Sequence, residues 1–207
     1  MGSGNGRVAV VTGAGTGIGA ATARLFARRG LAVVLVGRRA ALLEEVAAGI
    51  RDEGGRAHVL QADISEEGTP TRLVDETLRQ FGQLDILVNN AATIKVGPLE
   101  SYSVQDFNEH ISTNIRSIFF LIQSALPALR ESADAAVVNI SSTVGSVVKP
   151  GNSLYGMTKA AVEYLSRSLA LELAADRIRV NCIASGSVKT PIHLLWAGSI
   201  ENAERNL

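Results

Sequence analysis

The stretch Arg7-Val8-Ala9-Val10-Val11-Thr12-Gly13-Ala14-Gly15-Thr16-Gly17-Ile18-Gly19 decides the fold of this chain. Its first half is apolar at odd and even positions alike, the pattern of a strand buried on both faces. Glycines at 13, 17 and 19 then free the backbone for a tight turn and for close approach of an anion. From Gly17 to Arg29 the apolar period becomes helical, and Gly30 closes the helix. A helix N-terminus offers unpaired N–H groups and partial positive charge, which suits a pyrophosphate. A glycine-rich string that follows a strand and opens a helix therefore reads as a dinucleotide site, with Gly13, Gly15, Thr16, Gly17, Ile18 and Gly19 around the phosphates.

The same rhythm continues outward. Strands are expected over 31–36, 57–61, 84–89, 135–140 and 179–184, and helices over 39–53, 66–81, 104–129 and 154–174. Six doubly apolar strands alternating with helices predict an α/β doubly wound parallel sheet, Rossmann-like, of order 3-2-1-4-5-6. No Pro-rich or Gly/Ser-rich linker and no short repeat divides the 207 residues, so a single domain is expected over 1–207.

Composition narrows the partners. Twenty Lys plus Arg balance twenty Asp plus Glu, so no net field recruits nucleic acid or an acidic membrane. No apolar run reaches the roughly 20 residues that span a bilayer. The N-terminal Met1 to Gly6 reads as flexible and lacks the apolar core of a signal peptide. A lone cysteine, Cys182, excludes an internal disulfide and suits a reducing cytoplasm, where it reads as a small buried apolar residue.

Two further positions carry chemistry. A site for NAD usually places an Asp or Glu about 20 residues beyond the glycines, on the ribose 2′-OH. Here that place holds Gly37, followed by Arg38 and Arg39, so NADP(H) is preferred over NAD(H), with Arg38 expected to grip the 2′-phosphate. Farther on, Tyr155 and Lys159 stand four apart, one turn of a helix. An ammonium held beside a phenol lowers the phenol's pKa from about 10, which makes a proton donor and acceptor near neutral pH.

At these residues the chain resembles the short-chain dehydrogenase/reductase family in its single-domain form, most closely the 3-oxoacyl-[acyl-carrier-protein] reductases. The loop from Thr12 to Gly19 resembles the family's cofactor loop, and Asp63-Ile64 its adenine-contacting pair. Asn89-Asn90-Ala91-Ala92 is similar to its Asn-Asn-Ala-Gly turn, with Asn90, Ala91 and Ala92 beside the cofactor. Asn114 falls where the family keeps a catalytic asparagine, and Ser142 stands thirteen residues before Tyr155, where it keeps a serine. Gly186, Val188 and Thr190 fill cofactor-contacting places after the sixth strand, although Ser185 replaces the family's usual proline. The resemblance also implies a further helix and a seventh strand, so a missing C-terminal part is expected, with a substrate loop at about 187–207.

The resemblance implies hydride transfer between a nicotinamide and a ketone or secondary alcohol. Tyr155 would donate or accept the proton, and Lys159 would tune it and hold the nicotinamide ribose. Ser142 would hydrogen-bond the same oxygen, and Asn114 would hold a water next to Lys159. A ketoreductase acting on a small or carrier-bound carbonyl leads. An NADP-linked alcohol dehydrogenase and a non-catalytic nucleotide-binding module are the rivals. Pocket residues are expected after Ala92 (Thr93, Ile94), from Thr143 to Val148, and in an apolar loop with Ile192, Leu194, Leu195 and Trp196. Lys95 reads as a solvated cation or as an attractor of an anionic substrate. His58, His110 and His193 lack metal-ligand spacing, and no G-x-S-x-G elbow supports a hydrolase. A homodimer or homotetramer paired through the helices over 104–129 and 154–174 is implied by the same resemblance.

Overall fold

A computed structural model describes residues 6–193. The sheet has six strands, all parallel: β1 (Val8–Thr12), β2 (Ala32–Gly37), β3 (Arg56–Gln61), β4 (Ile86–Asn89), β5 (Ala136–Ser142) and β6 (Arg179–Ser185). Their order is β3-β2-β1-β4-β5-β6, as the alternation of elements implied. Register is set by burial on both faces: Val10 pairs with Val34 and Leu87, and Val137 with Leu87 and Val180. A shift by one residue would exchange every side chain between the two faces.

Each face has its own core. Val10, Val34 and Val36 point to the side covered by α3 (Thr69–Phe81), α5 (Ser117–Glu131) and α6 (Ser153–Glu172). Ala9, Val11, Val33 and Leu35 point to the other, covered by α1 (Gly17–Arg28) and α2 (Ala40–Asp52). Odd and even residues of one strand thus serve opposite layers, which is why the strands read as continuously apolar. Among the described residues β6 lies at a sheet edge, and Cys182 on it is half-buried against the α5–α6 side.

Two differences from the sequence reading exceed a shift of two residues at an element's end. Helix α3 begins at Thr69 and not near residue 66, because Gly68 takes φ +78° and Pro70 belongs in a first turn. The helix expected over 104–129 is two helices, α4 (Val104–Ile111) and α5, joined by a wider π-helical turn over Ser112–Arg116. That turn carries Asn114, which is fully buried.

The strand order reverses between β1 and β4: the chain runs outward from β1 through β2 to β3, then crosses back to β4 on the other side of β1. The crevice beyond a parallel sheet opens at such a point.

Candidate active site

A cleft of about 760 Å³ lies at the strands' carboxyl ends. Its floor is the turn after β1. Thr12 ties this turn to β4: its Oγ1 accepts from the Asn90 and Ala91 amides, each at 3.0 Å, and Asn90 Nδ2 donates to the Thr12 carbonyl at 2.9 Å. A methyl group at Gly19 would strike the Gly13 carbonyl oxygen, so only glycine lets α1 start this close to the strand. The first turn of α1 holds no acidic residue, and Thr16 makes no capping bond with its side chain. This cradle suits a pyrophosphate on both shape and charge.

At the end of β2 the two arginines divide. Arg39 donates to Thr16 Oγ1 at 3.3 Å, bridging back to the glycine turn. Arg38 is mostly exposed and stands 3.9 Å from the Asp63 carboxylate. That carboxylate is fixed by the Ser65 amide at 2.9 Å and the Ser65 hydroxyl at 2.7 Å. Gly37, Asp63 and Ile64 complete this end of the cleft.

The opposite end gathers the polar trio. Ser142 ends β5, Tyr155 and Lys159 come from the first turns of α6, and all three line the cleft. Their convergence depends on how α6 is rotated on the sheet. A buried polar chain sets that rotation: Asn89 Nδ2 donates to Asn139 at 2.8 Å, Asn139 Nδ2 to Ser166 at 2.9 Å, and Ser166 to the Val162 carbonyl at 2.7 Å. Glu163, one turn beyond Lys159, accepts from Ser141 at 3.0 Å and from Ser146 at 2.7 Å, bracing the turn that follows Ser142. Gly156 permits that turn to sit close, since a methyl there would lie 2.9 Å from the Val144 carbonyl oxygen.

Burial dominates the electrostatics of the pair. It pushes the Tyr155 hydroxyl up to about 12, with the neighbouring Ser142 hydroxyl pulling the other way. It brings the Lys159 ammonium down to about 8, with Cys182 acting in the opposite direction. The expectation that Lys159 draws the phenol's pKa down is therefore corrected. Lys159 Nζ donates to the Ile140 carbonyl at 2.7 Å and lies 5.5 Å from the centroid of the Tyr155 ring, a cation–π distance.

Asn114 is fully committed to protein partners through its side-chain amide. Its Oδ1 accepts from the Thr93 amide at 2.9 Å, and its Nδ2 donates to the Thr93 carbonyl at 2.9 Å and to Thr158 Oγ1 at 3.1 Å. Both amide hydrogens are engaged, and the residue does not line the cleft. The side chain braces the chain after β4, with no donor left over. Lys95 is likewise no open attractor, because its ammonium meets Asp106 at 2.6 Å and holds that carboxyl well below the usual carboxylate range.

Gly13, Gly15, Thr16, Gly17, Ile18, Ala91, Ala92, Gly186, Val188 and Thr190 all line the cleft, whereas Gly19 sits behind it. Thr190 packs over Gly17, closing the chain after β6 across the glycine turn. Val147 and Val148 are exposed and stay outside the cleft. Val96, Glu109, Thr113, Lys149, Pro150 and Asn152 join its wall without having been singled out in the sequence. Leu194, Leu195 and Trp196 lie outside the described residues, as do residues 1–5 of the N-terminal segment read as flexible.

The sequence model of the short chain dehydrogenase family matches residues 7–196. The chain belongs to the short-chain dehydrogenase family. It is similar, at 41% identity over 187 residues, to the cis-4-hydroxycyclohexanecarboxylate dehydrogenase of Sinomonas cyclohexanicum, with 90% of this chain and 75% of that protein aligned. A 3-ketoacyl-(acyl-carrier-protein) reductase from Brucella melitensis, complexed with NADH, has a similar structure: TM-score 0.86, 34% identity, 91% of this chain and 78% of that one. A short chain dehydrogenase from Burkholderia cenocepacia J2315, in complex with NADP, gives TM-score 0.88 at 34% identity, covering 92% and 78%. Members of this oxidoreductase family bind nicotinamide cofactors, and the glycine turn, the β2 end and Lys159 are the parts of this chain that fit one.

Proposed function

We propose that this short-chain dehydrogenase is an NADP(H)-dependent oxidoreductase that interconverts a ketone and its secondary alcohol, working as a carbonyl reductase. The observation that carries the reading is the meeting of Ser142, Tyr155 and Lys159 at one end of a cleft whose other end is a pyrophosphate cradle. A module that merely binds nucleotide needs the cradle and not the trio.

When bound, the nicotinamide supplies or accepts the hydride. Everything else is done by the chain. Tyr155 keeps its proton at neutral pH, because burial pushes its hydroxyl to about 12, and a protonated phenol is the form that donates to a carbonyl oxygen. Ser142 offers a second hydroxyl to that oxygen from the adjoining strand end. Lys159, with its pKa near 8, is the group in the site best matched to passing a proton at physiological pH. Lys159, which lines the cleft, would also hold the nicotinamide ribose, so cofactor placement and proton supply would share one side chain.

The preference for NADP(H) is supported by Gly37 in place of a carboxylate and by two arginines at the cleft edge. The wall of Ile94, Val96, Val144, Val188 and Ile192 favours an apolar substrate. A second reading, oxidation of a cyclic secondary alcohol, draws on the likeness to the hydroxycyclohexanecarboxylate dehydrogenase. The carrier-bound 3-oxoacyl substrate is the narrower version of the first reading. Absorbance at 340 nm with NADPH or NADH against short, cyclic and 3-oxoacyl thioester ketones tests the proposal, with NADP⁺ and the matching alcohols for the reverse. Absence of turnover with every pair would sink it.

We also place the protein in the cytoplasm as a homodimer or homotetramer. No helix among the described residues is long and apolar enough to cross a membrane. Helices α4, α5 and α6 carry exposed Phe107, Phe119, Phe120, Met157 and Tyr164, an apolar excess that a second copy would cover. Sedimentation as a monomer at micromolar concentration would count against that assembly.

A further inference from the structure

The chain after β4 forms one wall of the cleft through Ile94 and Val96, and between them sits Lys95, which does not line it. The amide and the ammonium of Lys95 are held by the segment over 101–110. Its amide donates to His110 Nε2 at 3.1 Å, its ammonium meets Asp106 at 2.6 Å and the Ser101 carbonyl at 3.4 Å, and its carbonyl lies 3.3 Å from the Tyr102 hydroxyl oxygen. Two residues earlier, Thr93 is held by both backbone groups on Asn114.

His110 and Asn114 thus grip Lys95 and Thr93. The spacing is commensurate, since four helical residues advance about 6 Å and two residues of extended chain about 6.6 Å. His110 is 2% exposed, and its two ring nitrogens face different partners. Nε2 meets an amide N–H and must accept; Nδ1 lies 2.8 Å from the Asp106 carbonyl oxygen and must carry the hydrogen. Only the neutral Nδ1–H tautomer satisfies both. The same clamp reaches the facing rim, because the Tyr102 hydroxyl gives its one hydrogen to the Gly151 carbonyl at 2.8 Å, and the Gly97 amide donates to that carbonyl at 2.9 Å.

We propose that His110, as its Nδ1–H tautomer, is a specificity-determining positioning residue: by holding the Lys95 amide it fixes Ile94 and Val96 as a rigid apolar wall against the substrate. The effect on substrate choice rests on the ketone–alcohol reading above; the latch itself does not. His110 touches neither the proton-transferring groups nor the phosphate cradle, so its influence falls on how well the apolar part of a substrate is held.

The test uses the full chain with two substitutions. His110→Leu removes both polar partners at similar volume, and His110→Gln keeps an acceptor near the position of Nε2. With NADPH and ketones of graded size, His110→Leu is expected to raise KM for the preferred ketone about tenfold, with kcat and the NADPH dissociation constant nearly unchanged. His110→Gln is expected to restore most of the loss. Hydrogen exchange read by mass spectrometry over 93–97 is expected to speed up about tenfold in His110→Leu and to recover in His110→Gln. Unchanged KM and exchange in His110→Leu would overturn the proposal. So would glutamine as damaging as leucine, or exchange rising equally across the whole chain. If the wild type reduces no ketone and oxidises no alcohol, the functional reading fails, and the exchange measurement alone decides the latch.

Discussion

Replacing Lys159 by methionine changes how stability responds to pH, and the size of the change follows from the burial of the ammonium. Burial brings the Lys159 pKa down from 10.5 to about 8 in the folded chain. Between those values the unfolded chain holds a proton that the folded chain has released, so stability rises with pH through this window. From pH 7 to pH 10 the gain from this one group is roughly 2–3 kcal/mol, at a little over 1 kcal/mol per pH unit. Tyr155 acts with the opposite sign and in a different window. Its pKa rises from 10.0 to about 12, so its contribution is lost only as pH climbs beyond 10, where the measurement stops. The Lys159→Met variant lacks the lysine contribution altogether. Losing the donor to the Ile140 carbonyl shifts its stability by a constant and leaves the slope alone. Urea unfolding followed by circular dichroism at pH 7, 8, 9 and 10 reads the difference. Wild type minus variant is expected to grow by roughly 2–3 kcal/mol, or about 1 M in midpoint for an m-value of roughly 2–3 kcal/mol/M. Parallel curves for the two proteins would show that the ammonium is not held in a desolvated site. The physical account of Lys159 as a proton carrier near neutrality would go with it.

Further expectations concern the cofactor end and the trio. Tyr155→Phe is expected to leave NADPH affinity intact, by fluorescence titration, and to lower kcat by roughly 10²-fold or more; a variant keeping most of its kcat refutes the acid assignment. Arg38→Ala and Arg39→Ala are each expected to weaken NADPH more than NADH, and equal losses of both cofactors would remove the 2′-phosphate role. Gly156→Ala sets a methyl against the Val144 carbonyl oxygen and displaces the turn beside Ser142. It is expected to cost about 1–2 kcal/mol of stability despite alanine's better helix propensity, with kcat falling more than NADPH affinity. A variant at least as stable as wild type, with unchanged kcat, would show that the turn yields freely.

What the sequence determined by itself was local or periodic. Apolar residues at both parities in 8–12 and 32–36 read as strands covered on two faces, and their alternation with helical stretches implied the observed sheet order. The glycine turn, Gly37 at the end of β2, and the four-residue spacing of Tyr155 and Lys159 were readable because their meaning lies in neighbouring backbone. The tertiary structure alone decided contacts between segments far apart in the chain. It turned Asn114 toward the Thr93 backbone by widening one helical turn, joined Lys95 to Asp106, and set His110 under the Lys95 amide. It also reversed the expected shift of Tyr155, because desolvation depends on what all neighbouring elements cover, and no spacing along the chain encodes that.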